Sequence, residues 1–314
     1  MNNLLHLKYA VEVARTGSIS KAAENLYMGQ PHLSKAIRDL EDSLGIAVFN
    51  RTSKGVIPTE KGLVFLEQAR EVLRKMEEIE TMYSSQGERR QRFDITVPRA
   101  SYVAHAFCEF VKNLDQNEQI SINYRETNSA DSIRYVAQSV HNLAIIRYQI
   151  PYEQYFLNAL EEHDLRYELL LEFDHVAIFS KNDTLAAKSV LDPADLSDYI
   201  EIAHGDITVP DLPTVQARKI AKKQEEKKII NVYERGSQFQ LLSNVPNTFM
   251  WVSPVPKQFL DYYNLVQVPC KSSGNRCKDL LISRKSYHFT KEDLRFVQVL
   301  KDTIERAKNT VVYR

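Results

Sequence analysis

The sequence predicts a multi-domain chain with a small all-helical N-terminal domain, one long helix and a larger α/β unit. Residues 17–62 hold two short helical periods, separated by a break at Met28-Gly29 and followed by a short basic hairpin. From Thr59 to Ser85 the composition is strongly helical, with no proline and no glycine after Gly62. From Phe93 onward, apolar runs of strand length alternate with stretches of helix length.

In the first helix after Gly17, Ala22, Ala23 and Leu26 form a small apolar face, and Ser18 or Ser20 supplies the cap. The next helix begins at Gln30-Pro31, because first-turn amides have no intrahelical partner and tolerate a proline. Leu33, Ile37, Leu40 and Leu44 make its buried stripe, and Gly45 ends it. Gln30, His32, Ser34, Lys35 and Arg38 occupy the opposite face. Val48-Phe49 reads as a strand, Thr52–Gly55 as a turn and Val56-Ile57 as the return. This is the layout of a winged helix-turn-helix DNA reader.

The exposed residue types suit a major groove. Gln30 can bond adenine in bidentate fashion, Lys35 or Arg38 can take a guanine edge or a phosphate, and Ser34 can anchor a phosphate. Arg51 and Lys54 bring positive charge to the hairpin, within reach of phosphates or the minor groove. A solvated helix face would also carry Ser, Lys and Arg, and Arg51 could instead pair with Glu41 or Glu60. The turn, the preceding helix and the hairpin favour the DNA reading.

Residues 2–85 resemble the N-terminal domain of LysR-type transcriptional regulators. The Ala22-Ala23 pair, Leu26, Gln30-Pro31, Ser34, Ile37, Leu40-Glu41, Leu44-Gly45, Phe49, Arg51, Thr59 and Gly62 carry the likeness, in order and without a gap. Gly29 stands where a Ser or Thr cap is common, and Pro58 where leucine is usual. The resemblance implies a bacterial-type regulator of promoter DNA. Its candidate DNA contacts are Ser20, Gln30, Pro31, His32, Ser34, Lys35, Arg38, Arg51, Lys54 and Thr59.

With 41 basic and 41 acidic residues the chain is neutral. Non-specific DNA affinity is therefore modest and salt-dependent, and a dimer on two half-sites gains what a monomer lacks. The helix from Thr59 to Ser85 offers Leu66, Ala69, Leu73, Met76 and Tyr83 in steps of three and four, broken at Glu80, beside a second stripe of Phe65, Val72 and Ile79. So wide an apolar girth needs two partners, its own domain and the same helix of another subunit. The family resemblance implies dimerisation there, as a homodimer or homotetramer.

The expected organisation is a DNA-binding domain at 1–58, a linker helix at 59–85, a polar hinge at 86–92 and an α/β regulatory domain at 93–314. Strands are expected at Phe93–Val97, Ile120–Tyr124, Leu143–Ile146, Leu169–Leu171, Val176–Ser180, Ile229–Tyr233, Thr248–Val252 and Leu280–Ser283. Helices are expected at Tyr102–Leu114, Ala130–Ser139, Val215–Lys227 and Lys291–Lys308. The resemblance implies that this region is a two-lobed, periplasmic-binding-protein-like effector domain.

Small ligands bind such folds beyond the carboxyl ends of the strands. The residues expected there are Arg99, Ser101, Tyr102, Thr127, Asn128, Ser129, Arg147, His204, Thr248 and Phe249. Ser101, Thr127 and Ser129 also suit helix caps. Arg147, ending an apolar strand, needs either an anionic ligand or an internal acid. Val97-Pro98 replaces a glycine common in relatives, and Asn244–Pro254 replaces a glycine-rich segment.

Cys270 and Cys277 flank Ser273-Gly274 as if across a hairpin. Lys271, Arg276 and Lys278 lie nearby and would favour thiolates, so a redox-sensing regulator is one alternative. A small-solute-binding protein without DNA function is another. No GxSxG, HExxH, Walker or GxGxxG motif occurs, so no enzyme, cofactor or metal is expected. No apolar run reaches the ~18 residues that span a bilayer, and His6 and Lys8 interrupt the one candidate signal stretch. A cytoplasmic protein is expected, with promoter DNA, a small effector and RNA polymerase as partners.

Overall fold

Ala10, Val13, Ala22, Ala23, Leu33, Ile37 and Leu40 fall at helical spacings, and all seven are buried in one core. The elements that bring them together are α1 (Leu4–Thr16), α2 (Ile19–Asn25) and α3 (Gln30–Leu44). The computed structural model describes residues 4–52, 55–83, 90–205, 228–271 and 276–308. The principal break between compact units falls at Arg90.

Ser18 caps α2, its hydroxyl accepting from the Lys21 amide at 3.4 Å, while Ser20 is exposed on the helix. Gly45 closes α3 in the left-handed region, at φ 65°. The hairpin strands β1 (Phe49–Thr52) and β2 (Gly55–Pro58) are antiparallel, with Asn50 opposite Ile57. The Glu41 carboxylate accepts from the Val48 and Phe49 amides at 2.7 and 2.9 Å, and the Val56 amide donates to the Gly17 carbonyl at 2.8 Å. The hairpin is thus fastened to α3 on one side and to the α1–α2 turn on the other.

Helix α4 (Glu60–Tyr83) starts at Thr59, whose hydroxyl accepts from the Gly62 amide at 2.8 Å and donates to the Ala47 carbonyl at 2.7 Å. Gly62 has no room for a side chain: a Cβ there would lie 2.0 Å from the Val48 carbonyl oxygen. Leu66 and Ala69, expected at a subunit interface, are instead 0% and 2% exposed, because this side of α4 lies against α1. Leu73 and Met76 are half-buried, and the Tyr83 side chain lies outside the described residues. Among the described side chains of α4, Leu63, Val64, Val72 and Ile79 are the exposed apolar ones.

The second unit begins with β3 (Arg90–Val97). Residues 90–92, read as hinge, are strand, and the buried Gln91 amide bonds the Asp115 backbone. The first sheet runs β4-β3-β5-β12-β6, built from β4 (Gln119–Glu126), β5 (Leu143–Gln149), β6 (Leu165–Asp174) and β12 (Arg276–Arg284). β5 alternates strictly: Leu143 and Ile145 enter one core, Ala144, Ile146 and Tyr148 the other. Its continuous apolar run is therefore that of a strand buried on both faces. Helices α5 (Ser101–Lys112) and Lys291–Lys308 cover one face, α6 (Ser129–Ala137) and α7 (Glu153–Glu162) the other.

The second sheet runs β11-β7-β10-β8-β9, from β7 (Val176–Ser180), β8 (Ile200–His204), β9 (Ile229–Val232), β10 (Thr248–Val252) and β11 (Leu265–Pro269). Helices Arg235–Asn244 and Lys257–Tyr262 belong to this lobe. The helix expected at Val215–Lys227 lies outside the described residues. The hairpin expected between Cys270 and Cys277 does not form: β11 and β12, on either side of it, belong to different sheets.

Candidate functional sites: a helix face and an inter-lobe cavity

The exposed side of α3 is chemically graded. Gln30, Pro31, His32, Lys35 and Arg38 are exposed in its first two-thirds, and the exposed acids Asp39 and Asp42 follow. Basic and amide side chains thus sit at the end whose helix dipole is positive, and the acids at the other. Such a helix enters a polyanion N-terminus first, the geometry of a recognition helix. Tyr27, in the preceding turn at φ 52°, is 97% exposed beside it.

Two of the expected DNA contacts are engaged elsewhere. Ser34 is 6% exposed, because it precedes Ile37 by three residues and shares its face. Its hydroxyl accepts from Arg51 Nη2 at 3.0 Å. Arg51 therefore braces the hairpin on Ser34 rather than pairing with Glu41 or Glu60, and Glu41 serves the hairpin backbone. Thr59 has donated its only hydroxyl proton to Ala47. Lys54 lies outside the described residues.

In the second unit, a cavity of about 200 Å³ lies between the two sheets' lobes. Arg99 and Ser101 reach it from the end of β3, Thr127, Asn128 and Ser129 from the end of β4, Arg147 from the end of β5, and His204 from the end of β8. All come from carboxyl ends of strands, as the topology requires. The polar residues are largely held by one another. Ser129 Oγ donates to the Arg147 carbonyl at 2.7 Å, and Asn128 caps α6 through the Asp131 amide at 2.8 Å. Ser101 Oγ accepts from Arg235 Nη2 at 3.2 Å, Arg235 also pairs with Glu126, and Arg99 donates to the Tyr233 carbonyl at 3.1 Å.

Three expected ligand contacts fail. Tyr102 is 0% exposed inside the first lobe and donates to Asp279 at 2.5 Å. Thr248 and Phe249 sit at the start of β10, where Thr248 bonds the Val245 carbonyl at 2.7 Å and Phe249 packs in the core. The cavity lies at the opposite end of that strand, so Met250, Trp251, Val252 and Ser253 line it instead. Arg147 reaches the cavity with its charge already matched. Burial works against that charge, yet the Asp279 carboxylate at 2.7 Å holds its pKa above the ordinary value.

Residues 4–63 match the family described as bacterial regulatory helix-turn-helix protein, lysR family. Residues 4–63 thus form a helix-turn-helix domain of the lysR type. A hydrogen peroxide-inducible genes activator from Pectobacterium carotovorum is 43% identical over 86 residues, which is 27% of this chain and 28% of that relative's length. Full-length structures extend the likeness in fold. An OxyR variant from Pseudomonas aeruginosa superposes with a TM-score of 0.61 at 16% identity, covering 97% of this chain and 95% of that one. ArgP from Mycobacterium tuberculosis gives 0.57 at 17% identity, covering 95% and 96%. The two-lobed α/β unit thus shares its fold with both of these structures.

Beyond the LysR-type domain, several cavity residues carry no signal in the sequence. Gln238 comes from helix Arg235–Asn244, whose apolar residues do not gather on one face, so no pattern announces it. His175 sits at the crossover from β6 to β7, and Cys277 at the start of β12. Burial pushes the Cys277 thiol up to about 12, and burial with Asp192 and Asp195 also raises that of Cys270. The neighbouring cations do not activate these thiols, because Lys271, Arg276 and Lys278 pair with Asp192, Glu172 and Glu153. Among the described residues there is no cluster of three or more metal-ligating side chains and no helix long and apolar enough to cross a membrane.

Proposed function

We propose that this chain is a sequence-specific transcriptional regulator, not an enzyme, whose grip on promoter DNA responds to a small molecule held between the lobes. The exposed, basic N-terminal part of α3 within a LysR-type domain carries this reading. Gln30, His32, Lys35 and Arg38 face base edges and phosphates, with Pro31 setting the helix entry and Ser20 on the neighbouring helix touching backbone. Arg51, braced by Ser34, and Lys54 follow the duplex from the hairpin. Val72 and Ile79, exposed seven residues apart on one face of α4, pair two copies, so that two recognition helices meet an inverted repeat.

Arg99, Ser101, Thr127, Asn128, Ser129 and His204 border the effector, and closure of the lobes around it changes how paired subunits are placed. RNA polymerase is the downstream partner and the cytoplasm the compartment. Footprinting the full-length protein on fragments upstream of its own gene tests the first step. A protected, interrupted inverted repeat is expected at physiological salt; protection of random DNA alone would refute sequence-specific reading.

A further inference from the structure

The two lobes of the second unit are tied together on one side and bridged by side chains on the other. The chain crosses between the sheets twice, from β6 to β7 and from β11 to β12. In the first sheet β6 and β12 are neighbours at one edge, and in the second β7 and β11 are neighbours at one edge. The opposite edges are β4, beside β3, and β9, beside β8. Lobes tied by two crossovers on one side open as a hinge by parting on the other.

On that other side two arginines reach across in opposite directions. Arg99, past the end of β3, donates from Nη2 to the carbonyl of Tyr233, just past β9, at 3.1 Å. Arg235, at the start of the next helix, pairs with Glu126 at the end of β4 and donates to Ser101 Oγ at 3.2 Å. The second-lobe ends of both bridges are anchored. The Arg235 guanidinium lies 5.8 Å from the ring of Phe239, a member of that lobe's core. The Tyr233 ring lies so close over Gly205 that a Cβ there would meet it at 2.5 Å. The Arg235 and Glu126 side chains are only 17% and 18% exposed. Truncating either one would leave the other shielded and unpaired in the closed form but hydrated in an open one, so either change favours opening.

Resting on the reading of the inter-lobe cavity as the effector site, we infer that these two arginines form a clasp that holds the lobes closed without a ligand, so that access to the cavity is set by the Arg235–Glu126 pair. Trp251 is the chain's single tryptophan and lines the cavity, so acrylamide quenching of the full-length protein reads its opening. Arg235→Met and Glu126→Gln are each expected to raise the quenching constant at least about twofold and to shift the emission to the red. Lys181→Met, which removes the ion pair to Asp261 within the second lobe, is expected to change neither. Unchanged quenching in both clasp variants, or an equal rise in Lys181→Met, would overturn the inference. A promoter mobility shift with the same variants separates the two levels. Lobes that open without altering the DNA complex defeat the coupling of closure to DNA alone, whereas an altered complex with unchanged quenching defeats the clasp alone.

Discussion

Arg147 and Asp279 stand directly opposite one another on the neighbouring strands β5 and β12, joined by two hydrogen bonds. The Tyr102 hydroxyl donates to the same carboxylate, so three groups form a closed cluster inside the first lobe. Burial, reinforced by that carboxylate, drives the Tyr102 pKa well above its ordinary value, and the phenol stays a donor.

Truncating one member of the cluster leaves a buried charge alone. Arg147→Ala is expected to destabilise the protein by about 3–5 kcal/mol, and Arg147→Met combined with Asp279→Leu to recover most of that. Urea unfolding of the single and double variants checks both. A stable Arg147→Ala protein would mean that Asp279 does not depend on it.

Base readers and phosphate binders separate by the kind of loss they cause. Gln30→Ala should reduce discrimination between operator and random DNA by about 1–3 kcal/mol. Arg38→Ala should weaken both and lower the salt slope by about one. Binding titrations at several salt concentrations distinguish these, and an equal loss for Gln30→Ala on both DNAs would remove it from the base-reading face.

The two sides of α4 should answer differently. Leu66→Ala opens a cavity against α1 and should cost about 2–5 kcal/mol of stability. Val72→Glu, on the exposed stripe, should leave folding intact and shift sedimentation toward the monomer. A dimeric Val72→Glu protein would place the subunit contact elsewhere.

Cysteine reactivity should follow burial. Cys108 is exposed, Cys270 half-buried and Cys277 buried. Alkylation of the native protein near neutral pH should proceed in that order, because a thiol raised to about 12 offers almost no thiolate. Peroxide should give no Cys270–Cys277 disulfide, as peptide mass mapping would show.

Asp293 adds a pH dependence of defined sign. Burial raises its pKa, against hydrogen bonds from Tyr287 and Thr290 that work to lower it. A raised folded-state value means stabilisation that is complete below the unfolded carboxylate range and lost as pH climbs through the folded one. Relative to Asp293→Asn, the wild type should therefore lose stability from about pH 4 upward. Paired thermal melts across that range check the sign, and a gain would contradict it.

Much of the fold is legible in the residues. The α3 stripe and its Gly45 stop follow from local spacing, and β10 and the last helix fall at the expected bounds, Thr248–Val252 and Lys291–Lys308. Ser34 escapes such a reading because a polar residue at the edge of a stripe belongs to whichever neighbour bonds it, here Arg51. Ser273-Gly274 suggests a hairpin because a turn signal is local, while the choice of sheet for each flanking strand is not. The strand-end rule finds Arg99, Ser101, Thr127 and Arg147, but Gln238 and His175 enter the cavity only through tertiary packing.

The order of strands has a practical corollary. Every strand of the second sheet falls between Val176 and Pro269, whereas the first sheet takes β12 from beyond that stretch. Asp174 and Arg276, at the two edges of the excursion, are partners in register on β6 and β12. The distal lobe is thus a cassette spliced into its neighbour at one adjoining pair of chain positions, and deleting it with a short bridging loop would leave the parent sheet's strand order uninterrupted.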